Sequence, residues 1–92
     1  SKDTVKKVPI WIKLMELSLK FWSPQCLEKI TNELGKFIKV DEKTLDKSLL
    51  GFARILAEMD ILQEYPEAMM FEDELEEEVV VNLEGLPSYH ML

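Results

Sequence analysis

Residues 22–36 read WSPQCLEKITNELGK, and they contain the start and stop signals of one short helix. Ser23 is a good N-cap, because its hydroxyl can accept a hydrogen bond from a free backbone N–H of the first turn. Pro24 follows at the first helical position, where its missing N–H costs nothing. Gly35 predicts a stop in the left-handed conformation, which glycine adopts without strain.

The predicted helix has one apolar side. Leu27, Ile30 and Leu34 recur at helical spacing, while most of the residues between them are polar. Trp22 and Leu27 also occupy the two positions of a hydrophobic staple, which fixes the angle at which the chain enters the helix. A short helix with one apolar stripe has to pack on another element, and the flanking sequence predicts strands.

Alternation of apolar and polar residues predicts β-strands on both sides of the helix. The predicted strands cover residues 8–14, 36–40, 52–60, 68–71 and 77–83, with an acidic bend at 72–76 between the last two. Residues 41–51 form a long loop in this interpretation, and Thr44 can cap a single helical turn within it. A helical interpretation of residues 49–62 stays open, because Ala, Leu, Met and Glu favour helices.

These elements predict a single α+β domain. We expect a small, mostly antiparallel sheet of four to five strands with one main α-helix packed on one face, in the order β-α-β-β-β-β. Residues 1–7 are a flexible lead-in, residues 8–87 form the domain, and residues 88–92 are a C-terminal tail. The strand order stays open: the first two strands are either parallel neighbours, or the helix carries the chain to a distant edge.

Charge is divided unevenly along the chain, whose net charge is −7. Residues 1–54 contain all 11 Lys and Arg together with 7 Asp and Glu, a net charge of +4. Residues 55–92 contain the other 11 acidic residues and no Lys or Arg, a net charge of −11. Because the acidic half would repel phosphates, a nucleic-acid site should lie on the first half. The acidic run itself is more typical of a solvated hairpin that avoids edge-to-edge pairing.

The composition indicates in which compartment the protein is expected. No run of residues is long and apolar enough to span a bilayer, so we expect no membrane partner. One cysteine cannot form an internal disulfide and is typical of a reducing compartment. The sequence therefore predicts an intracellular location, in the nucleus or the cytoplasm.

Metal and catalytic sites have little support in the sequence. Cys26 and His90 are the single Cys and the single His, which excludes a zinc site of the usual type. The same two residues form a conceivable nucleophilic pair, but no glycine-rich oxyanion turn accompanies them. The acidic residues at 72–78 lack the spaced ligands and the glycine of a calcium loop. We therefore expect no enzymatic activity, no catalytic residues, no metal and no small-molecule cofactor.

Aromatic and basic residues coincide on one predicted face of the sheet. The alternation assigns six apolar residues to the helix side: Ile10, Ile12, Ile38, Val40, Ala53 and Ile55. It assigns six others to the opposite side: Trp11, Lys13, Phe37, Lys39, Phe52 and Arg54. Single-stranded nucleic acid binds such surfaces, because bases stack on the rings and phosphates pair with the cations. We therefore expect the three aromatic residues of this set to stack with bases of single-stranded RNA or DNA, and the three basic residues to hold phosphates.

Two other interpretations of this face stay open. The acidic hairpin, a partner chain or another part of the protein could cover it, since a bare Trp and two Phe are costly to expose. Alternatively, the domain is a protein-interaction module, binding another chain or a second copy without direct nucleic-acid binding. The apolar strand at residues 79–81 and the opposite charges of the two halves favour that alternative.

From residue 8 to residue 60 the chain reads VPIWIKLMELSLKFWSPQCLEKITNELGKFIKVDEKTLDKSLLGFARILAEMD. The strand VPIWIKL, the helix entry FWS, LEKI followed by LG, then KVD and GFAR occur there in order. This combination resembles a plant domain of unknown function found in LINE-type retrotransposon open reading frames, commonly upstream of a CCHC zinc knuckle. Residues 82–87 are similar to the closing strand of that family and its Leu-Pro ending.

The resemblance extends over residues 8–87 and implies a non-catalytic module of a nucleic-acid-associated protein. It names no ligand and supplies no catalytic residues. The chain departs from the family pattern at Met15, Ser18 and Phe37, where the family tends to have proline, and it lacks the usual closing cysteine. The family region is also longer at its start, so an upstream half could pack on the face that contains Trp11.

Overall fold

The computed structural model describes residues 5–70 and 78–84, and it confirms the predicted α+β class. The elements in chain order are β1 (Lys7–Met15), a 3-10 turn (Leu19–Phe21), α1 (Pro24–Asn32), β2 (Lys36–Val40), α2 (Glu42–Leu45), β3 (Phe52–Asp60), β4 (Ala68–Met70) and β5 (Glu78–Leu83). The short α2 lies inside the predicted loop at residues 41–51. The predicted acidic bend at 72–76 and the tail at 88–92 lie outside the described residues.

The five strands form one antiparallel sheet in the order β2-β3-β1-β5-β4. β1 and β3 are the two longest strands, and they pair along their whole length. β1 and β2 run in the same direction but are separated by β3. The connection through α1 therefore carries the chain to an edge of the sheet, which is one of the two arrangements that the sequence left open.

α1 begins as its sequence predicts. Ser23 Oγ accepts a hydrogen bond from the backbone N–H of Cys26 at 3.2 Å, and a proline occupies the first helical position. Trp22, just before the cap, is 2% exposed, and its Nε1 donates to the carbonyl oxygen of Leu17 at 3.1 Å. The indole ring of Trp22 is thus buried, and its N–H has a hydrogen-bond partner. These two contacts fix where the helix starts.

The two sides of the sheet are distinct along β3. Alternate residues are buried on the helix side: Ala53, Ile55, Ala57 and Met59. The residues between them are only partly buried and lie on the other side: Phe52, Arg54, Leu56, Glu58 and Asp60. This two-residue period confirms the strand interpretation of residues 52–60, and the helical alternative is wrong.

The prediction that Phe37 lies on the side away from the helix is wrong. The register of β2 against β3 shifts between Phe37 and Lys39, so that Phe37 pairs with Ala57 and Lys39 pairs with Leu56. Ile38 lies in this bulge and is 45% exposed, instead of facing the helix. Phe37 packs against the buried core. One inserted residue reverses the alternation before it, and a periodic pattern does not reveal such an insertion.

Gly35 does not provide the predicted left-handed stop, because its φ lies outside the left-handed range. α1 ends earlier, at Asn32, whose side-chain oxygen accepts the backbone N–H of Phe37 at 2.9 Å. A Cβ on Gly35 would lie 2.5 Å from the carbonyl oxygen of Glu58 and 2.5 Å from Sδ of Met59. Glycine is required here by the close approach of β3.

We expect Gly35→Ala to lower the free energy of unfolding by about 1–3 kcal/mol, because the backbone of Glu58 cannot move aside without disturbing the sheet. Urea denaturation measures the change. Gly51→Ala is the matched control, since a Cβ there meets nothing within 4 Å and its φ lies outside the left-handed range. Its stability should not decrease. Equal losses in the two variants would contradict the close approach at Gly35.

Two buried threonines differ in their hydrogen bonding. Thr31 and Thr44 are both fully buried. Thr44 Oγ1 accepts the backbone N–H of Arg54 at 2.9 Å. Thr31 Oγ1 has no hydrogen-bond partner in the described part of the chain. Replacing the hydroxyl with a methyl group therefore removes a hydrogen bond at Thr44 and an unsatisfied hydroxyl at Thr31.

We expect Thr31→Val to raise the free energy of unfolding by about 1 kcal/mol, since valine keeps the shape and removes the unpaired hydroxyl. Thr44→Val should lower it by about 1–3 kcal/mol, because the N–H of Arg54 loses its acceptor. Thermal denaturation of both variants beside the wild type measures the two effects. Changes of the same sign and size would show that the two hydroxyls have equivalent surroundings, contrary to this assignment.

Tyr65 joins the loop after β3 to the end of that strand. Its hydroxyl donates to the carbonyl oxygen of Asp60 at 2.9 Å and accepts the N–H of the same residue at 2.8 Å. Burial raises the pKa of the Tyr65 hydroxyl above its ordinary value of about 10. The folded state therefore holds this proton more tightly than the unfolded chain does.

We expect the contribution of the Tyr65 proton to stability to be complete below about pH 10 and to be lost as the pH rises further. Proton loss is easier in the unfolded chain, so alkali favours unfolding. Tyr65→Phe should be about 1 kcal/mol less stable near neutral pH, and its stability should fall less steeply in alkali. Urea unfolding at a series of pH values measures both quantities. An unchanged alkaline slope in the variant would assign the loss to other groups.

Candidate nucleic-acid interface

Five of the six predicted residues lie on the side of the sheet opposite to α1. Trp11 and Lys13 come from β1, Phe52 and Arg54 from β3, and Lys39 from β2. The strand registers place all five on the side where β3 is only partly buried. We call the surface formed by these five residues the aromatic–basic face. The sixth predicted residue, Phe37, is partly buried and packs against the core.

A pattern of one aromatic residue, one apolar residue and one basic residue occurs twice in the strands that form this face. It reads WIK at residues 11–13 and FAR at residues 52–54. The two segments lie on paired antiparallel strands, with Lys13 directly opposite Arg54. A local twofold axis between these two residues relates Trp11 to Phe52, since each ring lies two residues before the basic residue. The face therefore contains two similar units.

Each basic group lies over the ring of the other strand. Arg54 Cζ is 3.9 Å from the ring centroid of Trp11, and Lys13 Nζ is 4.7 Å from that of Phe52. Lys39 Nζ is 5.9 Å from the Trp11 ring. A cation within about 6 Å of a ring centroid is attracted by the negative face of the ring. We call the two close pairs the Trp11–Arg54 unit and the Phe52–Lys13 unit.

The two units differ in charge. Arg54 Nε donates to Oε2 of Glu84 at 2.8 Å, and its Nη1 lies 3.5 Å from Oδ1 of Asp41. The hydrogen bond from Arg54 lowers the pKa of the Glu84 carboxyl below its usual range. Lys13 forms no ion pair with any residue that the structure describes. Two carboxylates thus offset the guanidinium, whereas the ammonium group of Lys13 lies near Glu84 without forming an ion pair with it.

Sequence analysis missed Asp41 and Glu84. Asp41 follows β2 and Glu84 follows β5, and neither is near Arg54 in sequence. Backbone hydrogen bonds place both carboxylates: the N–H of Asp41 donates to the carbonyl of Arg54, and that of Glu84 donates to the carbonyl of Trp11, each at 2.9 Å. The two carboxylates meet at Arg54 because of the strand order, and alternation of apolar and polar residues does not predict a strand order.

The two rings are far apart along the strands. The register pairs Trp11 with Leu56 and Met15 with Phe52, so the two ring-bearing residues are separated by four residue steps. At about 3.3 Å per residue this separation is about 13 Å. Lys13 and Arg54 lie halfway between. Successive stacked bases of one strand are only about 3.4 Å apart, so a nucleic acid reaches both units only with its bases splayed.

The remaining chemistry of the surface is sparse. Residues 5–70 and 78–84 contain no group of three or more His, Cys, Asp or Glu that could hold a metal ion. Cys26 is a free, partly buried thiol of α1, and His90, its conceivable nucleophilic partner, lies outside the described residues. Within the described ranges, no helix is long and apolar enough to cross a membrane. Functional inference therefore starts from the rings and cations of the aromatic–basic face.

Comparisons with known proteins do not assign the chain to a family. No protein-family model matches it, and no curated protein or solved structure is significantly similar to it. The resemblance to the plant retrotransposon domain stays a prediction from motifs.

Proposed function

We propose that the domain is a non-catalytic module that binds single-stranded RNA or DNA on its aromatic–basic face. The observation that supports it best is the presence of two ring–cation units on the paired strands β1 and β3. Bases stack on aromatic rings and on guanidinium planes, while phosphates pair with cations. The resemblance to a nucleic-acid-associated plant family agrees with this role, which would place the protein in the nucleus or the cytoplasm.

The geometry favours a single strand over a duplex. In a duplex the base faces are stacked on one another, so a ring on a sheet surface has no base to stack with. Two units about 13 Å apart suit an extended strand that offers an unstacked base to each. Lys13, which lies halfway between the two ring-bearing residues along the strands, is then beneath the backbone that joins the two bases.

Two lysines supply the charge that the proposal needs. Lys39 is exposed, and neither it nor Lys13 forms an ion pair within the described residues. Each phosphate contact to a single strand adds about 0.7 to the slope of log affinity against log salt. Two contacts therefore predict a slope of about −1.4 and a loss of roughly sevenfold in affinity between 50 and 200 mM salt.

Fluorescence anisotropy with short labelled oligonucleotides tests the proposal. We expect single-stranded RNA and single-stranded DNA to bind at low salt with the slope given above, and a duplex of the same sequence to bind more weakly. Separate RNA and DNA titrations show whether the 2′-hydroxyl contributes. Absence of binding to every single-stranded probe at low salt would exclude the proposed function.

The self-association alternative loses one of its two supports. Residues 79–81 belong to β5, which lies inside the sheet between β1 and β4. Val79 and Val81 are buried in the core and offer no free apolar edge. The uneven charge of the two halves still favours an interaction between copies. Light scattering at high concentration tests this alternative, which requires a dimer or a larger assembly.

A further inference from the structure

The two units of the proposed nucleic-acid site differ in chemistry and should differ in role. Given the proposed function, we infer that Arg54 is a stacking platform for a base, held flat on Trp11, and that Lys13 contacts the phosphate. The sequence alone predicts phosphate contacts for both residues. The surroundings of the two cations separate them, although the local twofold axis places them in equivalent positions.

The guanidinium of Arg54 is held on one face and at its edges. The Trp11 ring lies against one face, with Cζ 3.9 Å from the ring centroid. Glu84 accepts a hydrogen bond from Nε, and Asp41 forms an ion pair with Nη1 at 3.5 Å, so both carboxylates lie at the edges from which the N–H groups project. The side chain is nevertheless 26% exposed, so part of it is accessible to a ligand. Bases stack on arginine planes as they do on aromatic rings.

Arg54 is poorly placed to hold a phosphate. Its Nε–H already donates to Glu84, and the carboxylates of Glu84 and Asp41 beside the guanidinium would repel a phosphate. Lys13 also lies near Glu84, since its charge contributes to lowering the pKa of that carboxyl, but it differs from Arg54 in its contacts and shape. Its ammonium group forms no ion pair in the described part of the chain, and it is a compact charge without a plane on which a base could stack.

Substitution of each cation tests this division. The probe is a short fluorescein-labelled oligoadenylate RNA, titrated by anisotropy at salt concentrations between about 50 and 200 mM. Arg54→Lys keeps the charge and removes the plane, so we expect roughly a tenfold loss of affinity with an unchanged salt slope. Lys13→Ala should make the salt slope shallower by about 0.7.

The outcomes separate this inference from the proposed function. Wild-type affinity in Arg54→Lys would show that Arg54 acts as a point charge, and the inference would be wrong while nucleic-acid binding stands. If circular dichroism shows that Arg54→Lys does not fold, the salt slope of Lys13→Ala still decides, because an unchanged slope excludes a phosphate contact at Lys13. No binding by the wild type at low salt would remove the proposed function, and the division of roles with it.

Discussion

Trp22→Ala is expected to lower the free energy of unfolding by about 3–5 kcal/mol. A domain of 92 residues has a total stability of about 5–14 kcal/mol, so the variant would lose at least about a fifth of it. The physical reason is twofold. Trp22 is 2% exposed, so truncation leaves a cavity beside the first turn of α1. The carbonyl of Leu17 also loses its hydrogen bond from the indole. Thermal denaturation followed by far-ultraviolet circular dichroism should show a melting temperature lower by roughly 20 °C.

Trp11→Ala is the matched control for this result, because it removes the same side chain from the other side of the sheet. Trp11 is only partly buried, and its ring contacts the cations of Arg54 and Lys39. We expect a loss of about 1 kcal/mol, which is typical of a substitution that opens no core cavity. Losses of equal size at the two tryptophans would contradict the two-sided sheet, since both rings would then belong to one core.

Local signals in the sequence were sufficient for the start of the helix and for two strands. The cap at Ser23 depends on residues within one turn, and such contacts form wherever the helix lies. β1 and β3 pair without a register shift over nine residues each, so simple alternation assigns every residue to its side. The alternation was therefore sufficient to place four residues together on one face: Trp11, Lys13, Phe52 and Arg54.

Features that depend on contacts between distant segments were not predictable. The bulge in β2 moves Phe37 into the core, and nothing in the five residues of that strand indicates the insertion. Gly35 lacks a side chain because β3 passes close to it, although its position after the helix is equally typical of a left-handed stop. Asp41 and Glu84 meet at Arg54 only through the strand order. The charge of the candidate site was therefore the part that the sequence described least well.

Trp11→Ala combined with Phe52→Ala is expected to weaken binding of single-stranded RNA by about thirtyfold or more. Stacking contributes about 1–3 kcal/mol for each base, and the double variant removes the ring of both units. Trp11 also supports the guanidinium of Arg54, so its loss releases that plane as well. Because both rings lie away from the core, the variant should remain folded. Anisotropy titration at low salt measures the affinity, and circular dichroism checks the fold.

Phe37→Leu is the control for this variant, because it changes a third aromatic residue that the sequence placed on the same face and the bulge places in the core. We expect it to reduce stability modestly and to leave the affinity for RNA unchanged, since its ring cannot reach a ligand on the other side of the sheet. The ring-preserving pair Trp11→Phe and Phe52→Tyr should keep most of the binding, because each still offers a π-face to a base. Binding that survives the double alanine variant, or that falls in Phe37→Leu by a similar factor, would mean that RNA binds elsewhere on the molecule.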